Sequence, residues 1–258
     1  MPTTTFGLEF EVQGVGVIQA SEALNDAGID CSSPRTQHET ADTWKSVYDG
    51  SVRNGAEIVS PILTAPRLNE AVRVTKILKT AGARVDRATG FHVHIGGNIF
   101  GNASALANFT LNYYAVHHAI GALVAPSRLR NRFCAVLTQP YAERQAEYLR
   151  NGGGASWNGD RYTSLNLDAL NRHGTVEVRL HQGTLNGVKA VAWAQFVEAL
   201  ILESKAGTDL ATIPGITPWQ TGASVEQCHI LLDHLSGSGR LNPSTGDWLK
   251  NRAGKLHA

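Results

Sequence analysis

The segment Gly174–Leu185 reads GTVEVRLHQGTL and alternates polar with apolar side chains. Side chains of a β-strand point alternately to its two faces, so this pattern predicts a strand with one apolar face. The other face carries a carboxylate, a guanidinium and an imidazole, from Glu177, Arg179 and His181. A half-buried strand rarely presents such a row, and the segment therefore indicates a functional site.

Three other short segments repeat this arrangement, each with its charged groups on one face at period two. They are TFGLEFEV from Thr5 to Val12, GAEIVSPIL from Gly55 to Leu63, and GFHVHIGG from Gly90 to Gly97. The charged groups of the four segments are Glu9, Glu11, Glu57, His92, His94, Glu177, Arg179 and His181. The repetition predicts that one sheet face collects all of them.

Four carboxylates brought together would repel one another, and burial would raise their pKa values unless cations neutralised them. Oxygen-rich ligands with one or two imidazoles suit Mg²⁺ or Mn²⁺ better than tetrahedral zinc. An arginine beside such ions suits the charge that develops on a transferring phosphoryl group. Each pattern alone also fits a solvated strand face, surface histidines or a surface ion pair worth about 0 to 1 kcal/mol. Their coincidence on four strands favours a metal and phosphate site.

Composition narrows the class of protein. The 258 residues are 42% hydrophobic and 17% charged, which predicts a globular chain of one large or two small domains. A net charge of +1 without a Lys/Arg run gives no indication of nucleic-acid binding. Three cysteines without CxxC spacing predict neither disulfides nor a zinc knuckle, and we expect a cytoplasmic protein. We expect no signal peptide and no membrane span.

Much of the remaining sequence shows the apolar periodicity of helices. The predicted helices cover Val17–Ala27, Arg67–Ala81, Ser104–Val124, Tyr141–Arg150, Val188–Ala206, Val225–Leu235 and Thr245–Arg252. The second of these has a predicted apolar stripe of Leu68, Val72, Ile77, Leu78 and Ala81. Arg128, Arg130 and Arg132 are equally compatible with phosphate binding and with a solvated surface. We expect His117 and His118 to be structural. His181 is as compatible with structural packing as with a place in the polar row.

Several of these motifs, taken in order, carry a family resemblance. FGLEFE, the pair WKSVYDGSV and GAEIVSP, GFHVHIGG and the block Arg161–Leu185 together resemble the amidoligase family. That family belongs to the superfamily of glutamine synthetase and glutamate–cysteine ligase, and the resemblance covers roughly residues 5–200. It implies an α+β fold with a strongly bent, mainly antiparallel sheet, a concave active-site face and helices outside. It also implies a catalytic domain over residues 1–206, with residues 207–258 as a connector and helical tail packed on it.

The chemistry that the resemblance implies is ATP-dependent amide formation. The γ-phosphoryl group of ATP passes to a substrate carboxylate, and an amine then attacks the acyl phosphate to give an amide, ADP and phosphate. ATP and two or more Mg²⁺ or Mn²⁺ ions are the implied cofactors. The implied substrates are a small-molecule or peptide carboxylate and an amine.

The resemblance also implies roles for individual residues. Glu9, His92 and Glu177 would hold a metal ion that bridges the ATP phosphates. Glu11 and Glu57 would hold a second ion nearer the substrate carboxylate.

Further implied roles concern the nucleotide and the amine. Arg179 would stabilise the phosphoryl-transfer transition state, and Arg161 would contact the phosphates or the carboxylate. His94 and Asn166 would contact the nucleotide. Asp49, with the neighbouring Ser51, would lie near the amine site.

Two alternatives remain open at this stage. His92-Val93-His94 with a carboxylate is also the ligand pattern of a zinc-dependent hydrolase, although that class would favour further His or Asp ligands. The chain is also compatible with a ligase-like protein that binds nucleotide without turnover.

Overall fold

The computed structural model describes residues 3–33, 42–50, 52, 54–154 and 161–257. Contacts between residues divide the chain into two compact units. The first comprises Met1–Ile95 and His181–Ala194, and the second comprises Gly96–Leu180 and Gln195–Ala258. The predicted functional boundary at residue 206 stays a prediction, because compactness alone does not define a catalytic domain.

The first unit is built on a mostly antiparallel sheet. Its strands are β1 Thr5–Gln13, β2 Cys31–Ser32, β3 Trp44–Val47, β4 Gly55–Val59, β5 Leu63–Thr64 and β6 Phe91–Gly96. Their order is β2-β3-β4-β1-β6, and β5 pairs with the start of β1. The described pairings are antiparallel except that between β2 and β3. This confirms the predicted mixed class and sheet type, whereas a strong bend with a concave face stays a prediction.

One face of this sheet is apolar, as the alternation in β1 and β6 predicts. Leu8, Phe10, Val93 and Ile58 are fully buried there. Helices α1 (Val17–Asp26) and α2 (Glu70–Thr80) pack on each other, and α1 also packs on β2, β3 and β4. The polar side chains are thereby left to the opposite face.

The apolar stripe predicted for the second helix is partly wrong. Ala65–Asn69 forms a 3₁₀ turn before α2, so the helical rotation differs from that of a single helix. Val72 is consequently exposed, while Ala71 and Val74 are buried in its place.

The second unit contains most of the helices. They are α3 Ala103–Ala115, α4 His117–Gly121, α5 Gln139–Arg150, α6 Ala169–His173, α8 Val225–Gly237 and α9 Pro243–Leu256. Helix α7 (Gly187–Lys205) begins in the first unit and ends in the second. Within the second unit, α3 packs on α5, α4 on α8 and α8 on α9. Among the helices of the described ranges, none is long and apolar enough to cross a membrane.

Two predictions for this unit need correction. The predicted helix 104–124 is divided into α3 and α4, because Val116 leaves helical dihedral angles (φ −102°, ψ 19°). The predicted strand 174–185 is shorter, since β8 covers only Thr175–Val178 and pairs antiparallel with β7 (Leu165–Asn166). Helix α6, which the sequence pattern did not predict, connects them and ends at Gly174, where φ is +66°.

Candidate active site

Strand register places carboxylates and an imidazole side by side on the polar face of the first unit's sheet. Glu9 lies opposite Val59 of β4 and opposite His92 of β6. Glu11 lies opposite Glu57. Directly opposed residues of antiparallel strands project to the same face, with Cβ atoms about 4.5–5.5 Å apart. Four of the side chains proposed from sequence are therefore neighbours.

Glu9 connects the two histidines of β6. Its Oε2 lies 3.1 Å from Nδ1 of His92, and its Oε1 lies 3.2 Å from Nε2 of His94. Burial acts to raise the pKa of Glu9, but the charge of His94 and hydrogen bonds from both imidazoles outweigh it. They hold the pKa of Glu9 well below its usual value, so this carboxylate is ionised at neutral pH.

Glu11 is held by the backbone and by the other side of His92. Its Oε2 accepts a hydrogen bond of 2.5 Å from the Gly90 N–H, and its Oε1 lies 3.5 Å from Nε2 of His92. A Cβ atom at Gly90 would lie 2.7 Å from that same Nε2. The absence of a side chain at position 90 is therefore what allows the imidazole to sit between Glu9 and Glu11.

A candidate metal centre lies on this face. Glu9, Glu57 and His92 each offer one ligand atom, and the three atoms lie within 4.8 Å of one another. Glu57 and His92 are buried, and Glu9 is partly exposed. Two carboxylates and one imidazole are a donor set that fits Mg²⁺ or Mn²⁺, since oxygen ligands predominate.

In the second unit, the paired strands β7 and β8 carry a second cluster of polar side chains. Asn166 lies opposite Glu177, and its Nδ2 donates a hydrogen bond of 2.6 Å to Oε2 of Glu177. The other oxygen of Glu177 pairs with Nη1 of Arg179. Nε of Arg179 also donates to the carbonyl oxygen of Phe133 at 3.4 Å. Glu177 is buried, so these contacts fix the orientation of both side chains.

Arg161 lies on an exposed aromatic surface of the second unit. Its guanidinium carbon lies 5.0 Å from the centre of the Tyr162 ring, and Nη2 donates to the Tyr162 hydroxyl at 3.1 Å. The Tyr162 ring meets the Phe133 ring edge to face at 5.5 Å. An arginine stacked on an exposed ring presents donors outward, as phosphate or carboxylate recognition needs.

Asp49 lies in the turn of the β3–β4 hairpin that the sequence predicted. Its carbonyl oxygen accepts a hydrogen bond from the Val52 N–H at 3.2 Å, and its side chain is partly exposed. Ser51, proposed beside it, lies outside the described residues.

His181 does not belong to the polar row predicted from its strand position. It is buried against the rings of Phe91 and Trp193, with centres at 5.6 Å and 5.1 Å. Structural packing, the alternative that the sequence left open for this histidine, is therefore the observed one. β8 ends at Val178, so the alternation does not continue to residue 181. Packing on the apolar ring of Phe91 is its observed environment.

Arg128 is buried against the backbone, so the solvated surface role that the sequence left open for it is wrong. Its guanidinium donates to the carbonyl oxygens of Leu180 at 3.1 Å and Arg179 at 2.8 Å. It is buried, whereas Arg130 and Arg132 are exposed. Arg128 thus braces the backbone that carries Arg179.

Sequence reasoning missed Lys45 on β3. This lysine is only 5% exposed and lies opposite Val59, which itself lies opposite Glu9. Its side chain therefore projects to the polar face. The signal available in the sequence was its alternation with Trp44 and Ser46, whose side chains are buried on the apolar side.

Comparison with known families agrees with the sequence resemblance. Residues 2–201 match the family described as "Putative amidoligase enzyme". The match covers well over half of the chain, and the chain belongs to this family. The resemblance drawn from the sequence motifs is thereby confirmed.

Comparison with solved structures finds a similar chain in the crystal structure of the complex between the prokaryotic ubiquitin-like protein Pup and its ligase PafA. The TM-score is 0.41 at 10% sequence identity, and the match covers 98% of the present chain and 63% of that chain. The present chain thus spans less than two thirds of that neighbour's length. No curated protein sequence matches it.

Proposed function

We propose that this chain is an ATP-dependent carboxylate–amine ligase that forms an amide bond through an acyl phosphate. The observation that carries the proposal is the convergence of Glu9, Glu57 and His92 within 4.8 Å in a chain of the amidoligase family. Phosphoryl transfer needs positioning and charge neutralisation more than a nucleophilic side chain, and this site offers both.

In this proposal Glu9, Glu57 and His92 hold Mg²⁺ or Mn²⁺. The ion would supply the charge that neutralises the ATP phosphates. Glu11 and Glu177 remain proposed as further ligands. The ionised Glu9 carboxylate orients both imidazoles of β6, which supports its place as the central ligand.

The first half-reaction moves the γ-phosphoryl group of ATP to the substrate carboxylate, with ADP as the leaving group. Arg179 is proposed to donate hydrogen bonds to the transferring group, and its pairing with Glu177 supports a fixed guanidinium orientation. Arg161, His94 and Asn166 are proposed to contact the nucleotide. The exposed Arg161–Tyr162 stack supports a role for Arg161 in binding phosphate.

In the second half-reaction the amine nitrogen attacks the acyl carbon and phosphate leaves. The amine loses one proton in this step, and Asp49 is proposed to accept it. Its place in a hairpin turn, with a partly exposed side chain, supports access to an incoming amine.

Wider features of the proposal follow the family. We propose a strongly bent sheet with a concave active face, a catalytic domain over residues 1–206 with the helical tail packed on it, and a cytoplasmic location. The substrates are proposed to be a small-molecule or peptide carboxylate and an amine.

The reaction can be tested without knowing the natural amine. Hydroxylamine traps acyl phosphates as hydroxamates, so the chain is incubated with ATP, Mg²⁺, hydroxylamine and a panel of carboxylates. We expect equal amounts of ADP and hydroxamate with at least one carboxylate. Glu57→Gln is expected to abolish both products, whereas Glu22→Gln, an exposed glutamate on α1, is expected to leave them unchanged.

Other outcomes would contradict the proposal. Zinc that copurifies with ATP-independent hydrolysis would favour the hydrolase. A melting temperature that does not rise with ATP and Mg²⁺ together would contradict nucleotide binding itself, whatever the substrate.

A further inference from the structure

Lys45 lies in line with the proposed metal ligands. Along one row across the sheet, Lys45 of β3 is opposite Val59 of β4, Val59 is opposite Glu9 of β1, and Glu9 is opposite His92 of β6. In the next row, Val47 is opposite Glu57. Lys45 and Glu57 are therefore diagonal neighbours on one face, with a separation of about 7–8 Å that a lysine side chain spans.

A buried ammonium needs anions around it. Lys45 is 5% exposed, and burying a charge without a counter-charge is costly. The face to which it projects carries Glu9, Glu11 and Glu57, of which the last two are also buried. The cation and the carboxylates thus share one electrostatic environment.

Glu11, which lies opposite Glu57 in the strand register, is already in contact with other groups of the sheet. Its Oε2 accepts from the Gly90 N–H and its Oε1 faces His92. Glu57 instead converges with Glu9 and His92. The arrangement places Glu57, with Glu9 and His92, in a group that fits one ion.

We propose that Lys45 supplies the positive charge beside Glu57 that the family resemblance assigns to a second metal ion. The Lys45 ammonium then limits divalent-ion binding at Glu9, Glu57 and His92 through repulsion. The inference rests on the metal site of the proposed function. At an effective dielectric constant near 20, a unit charge within about 10 Å of a divalent ion changes ion affinity by more than tenfold before screening.

Isothermal titration with Mn²⁺ alone tests this inference. We expect Lys45→Met to bind Mn²⁺ at least tenfold more tightly than the wild-type chain, and Lys45→Arg to bind within threefold of it. Lys76→Met, which removes an exposed lysine of α2, is the matched control and is expected to change nothing.

The titration distinguishes a wrong role for Lys45 from a wrong metal site. Equal Mn²⁺ affinity in the wild-type chain and Lys45→Met overturns the role of Lys45 and leaves the metal site intact. A wild-type chain that binds no Mn²⁺ overturns the metal site and this inference with it. Lys45→Gln, measured in parallel with circular dichroism as a check of folding, replaces Lys45→Met if that variant does not fold.

Discussion

Glu9 and His92 are directly opposed across β1 and β6, and their Oε2 and Nδ1 atoms lie 3.1 Å apart. The second oxygen of the same carboxylate reaches His94, two residues further along β6. One glutamate therefore orients two imidazoles, and its partners are set by strand register alone. Substitutions at or beside this carboxylate give the sharpest tests of the site.

Glu9→Gln is expected to weaken Mn²⁺ binding at least a hundredfold, because the neutral amide is a poor ligand and cannot accept from both histidines. Calorimetric titration measures the affinity, and far-ultraviolet circular dichroism checks the fold. Glu22→Gln, in the same unit but exposed, should bind as wild type does. Unchanged affinity in Glu9→Gln would remove Glu9 from the metal site.

Gly90→Ala tests whether the placement of His92 matters. The new methyl group would lie 2.7 Å from Nε2 of His92 and 3.4 Å from Oε2 of Glu11, so the imidazole must move. We expect Mn²⁺ affinity to fall about tenfold or more, while the chain stays folded, since the clash is with side-chain atoms. Gly16→Ala, where a methyl group meets nothing within 4 Å, is the control. Wild-type affinity in Gly90→Ala would show that His92 is not a ligand.

Arg179→Lys should reduce ATP turnover about a hundredfold in the hydroxamate assay. A point ammonium cannot donate simultaneously to Glu177, the Phe133 carbonyl and a phosphoryl group as a planar guanidinium can. Arg172→Lys, on an exposed arginine paired with Asp168, should retain wild-type turnover. If Arg179→Lys turns over at the wild-type rate, the proposed transition-state role is wrong.

The buried His117 leads us to expect that acid lowers the stability of the second unit. Burial, with a smaller effect of His118, lowers the pKa of His117 from 6.5 to about 3. Between these values the unfolded chain binds a proton that the folded chain does not, so stability falls as pH decreases. The slope from this group is at most about 1.4 kcal/mol per pH unit. Urea unfolding of His117→Leu should therefore show a shallower pH dependence, whereas exposed His173→Leu should match wild type.

The polar face of the first unit was predictable because strand alternation is local. Glu9 and Glu11 share a face with His92 once their strands pair, and the Asp49-Gly50 turn indicates that β3 and β4 form a hairpin. The alternation of side chains along each strand then determines which of them lie on the same face. The register itself, which puts Glu57 opposite Glu11, is a tertiary property that the alternation left open.

Other features could not be predicted from the sequence, mostly because the ends of helices and strands were not known. The place of His181 was left open because the alternating pattern continues in the sequence after β8 has stopped at Val178. Val72 was assigned to the core because the 3₁₀ turn before α2 shifts the helical phase. Lys45 was overlooked because a lysine in a strand is ordinarily solvated, and its burial on the face of the carboxylates follows from strand register.

The convergence of residues 9, 57 and 92 makes ion binding report on folding. These ligands come from three strands and are distant along an unfolded chain, so the ion would bind the native state selectively. An ion at a hundred times its dissociation constant then adds about 2.7 kcal/mol to the free energy of unfolding. Bound metal would act as a reversible cross-link between β1, β4 and β6. Removal of the ion by a chelator would therefore lower the stability of the sheet and also abolish the activity of the site.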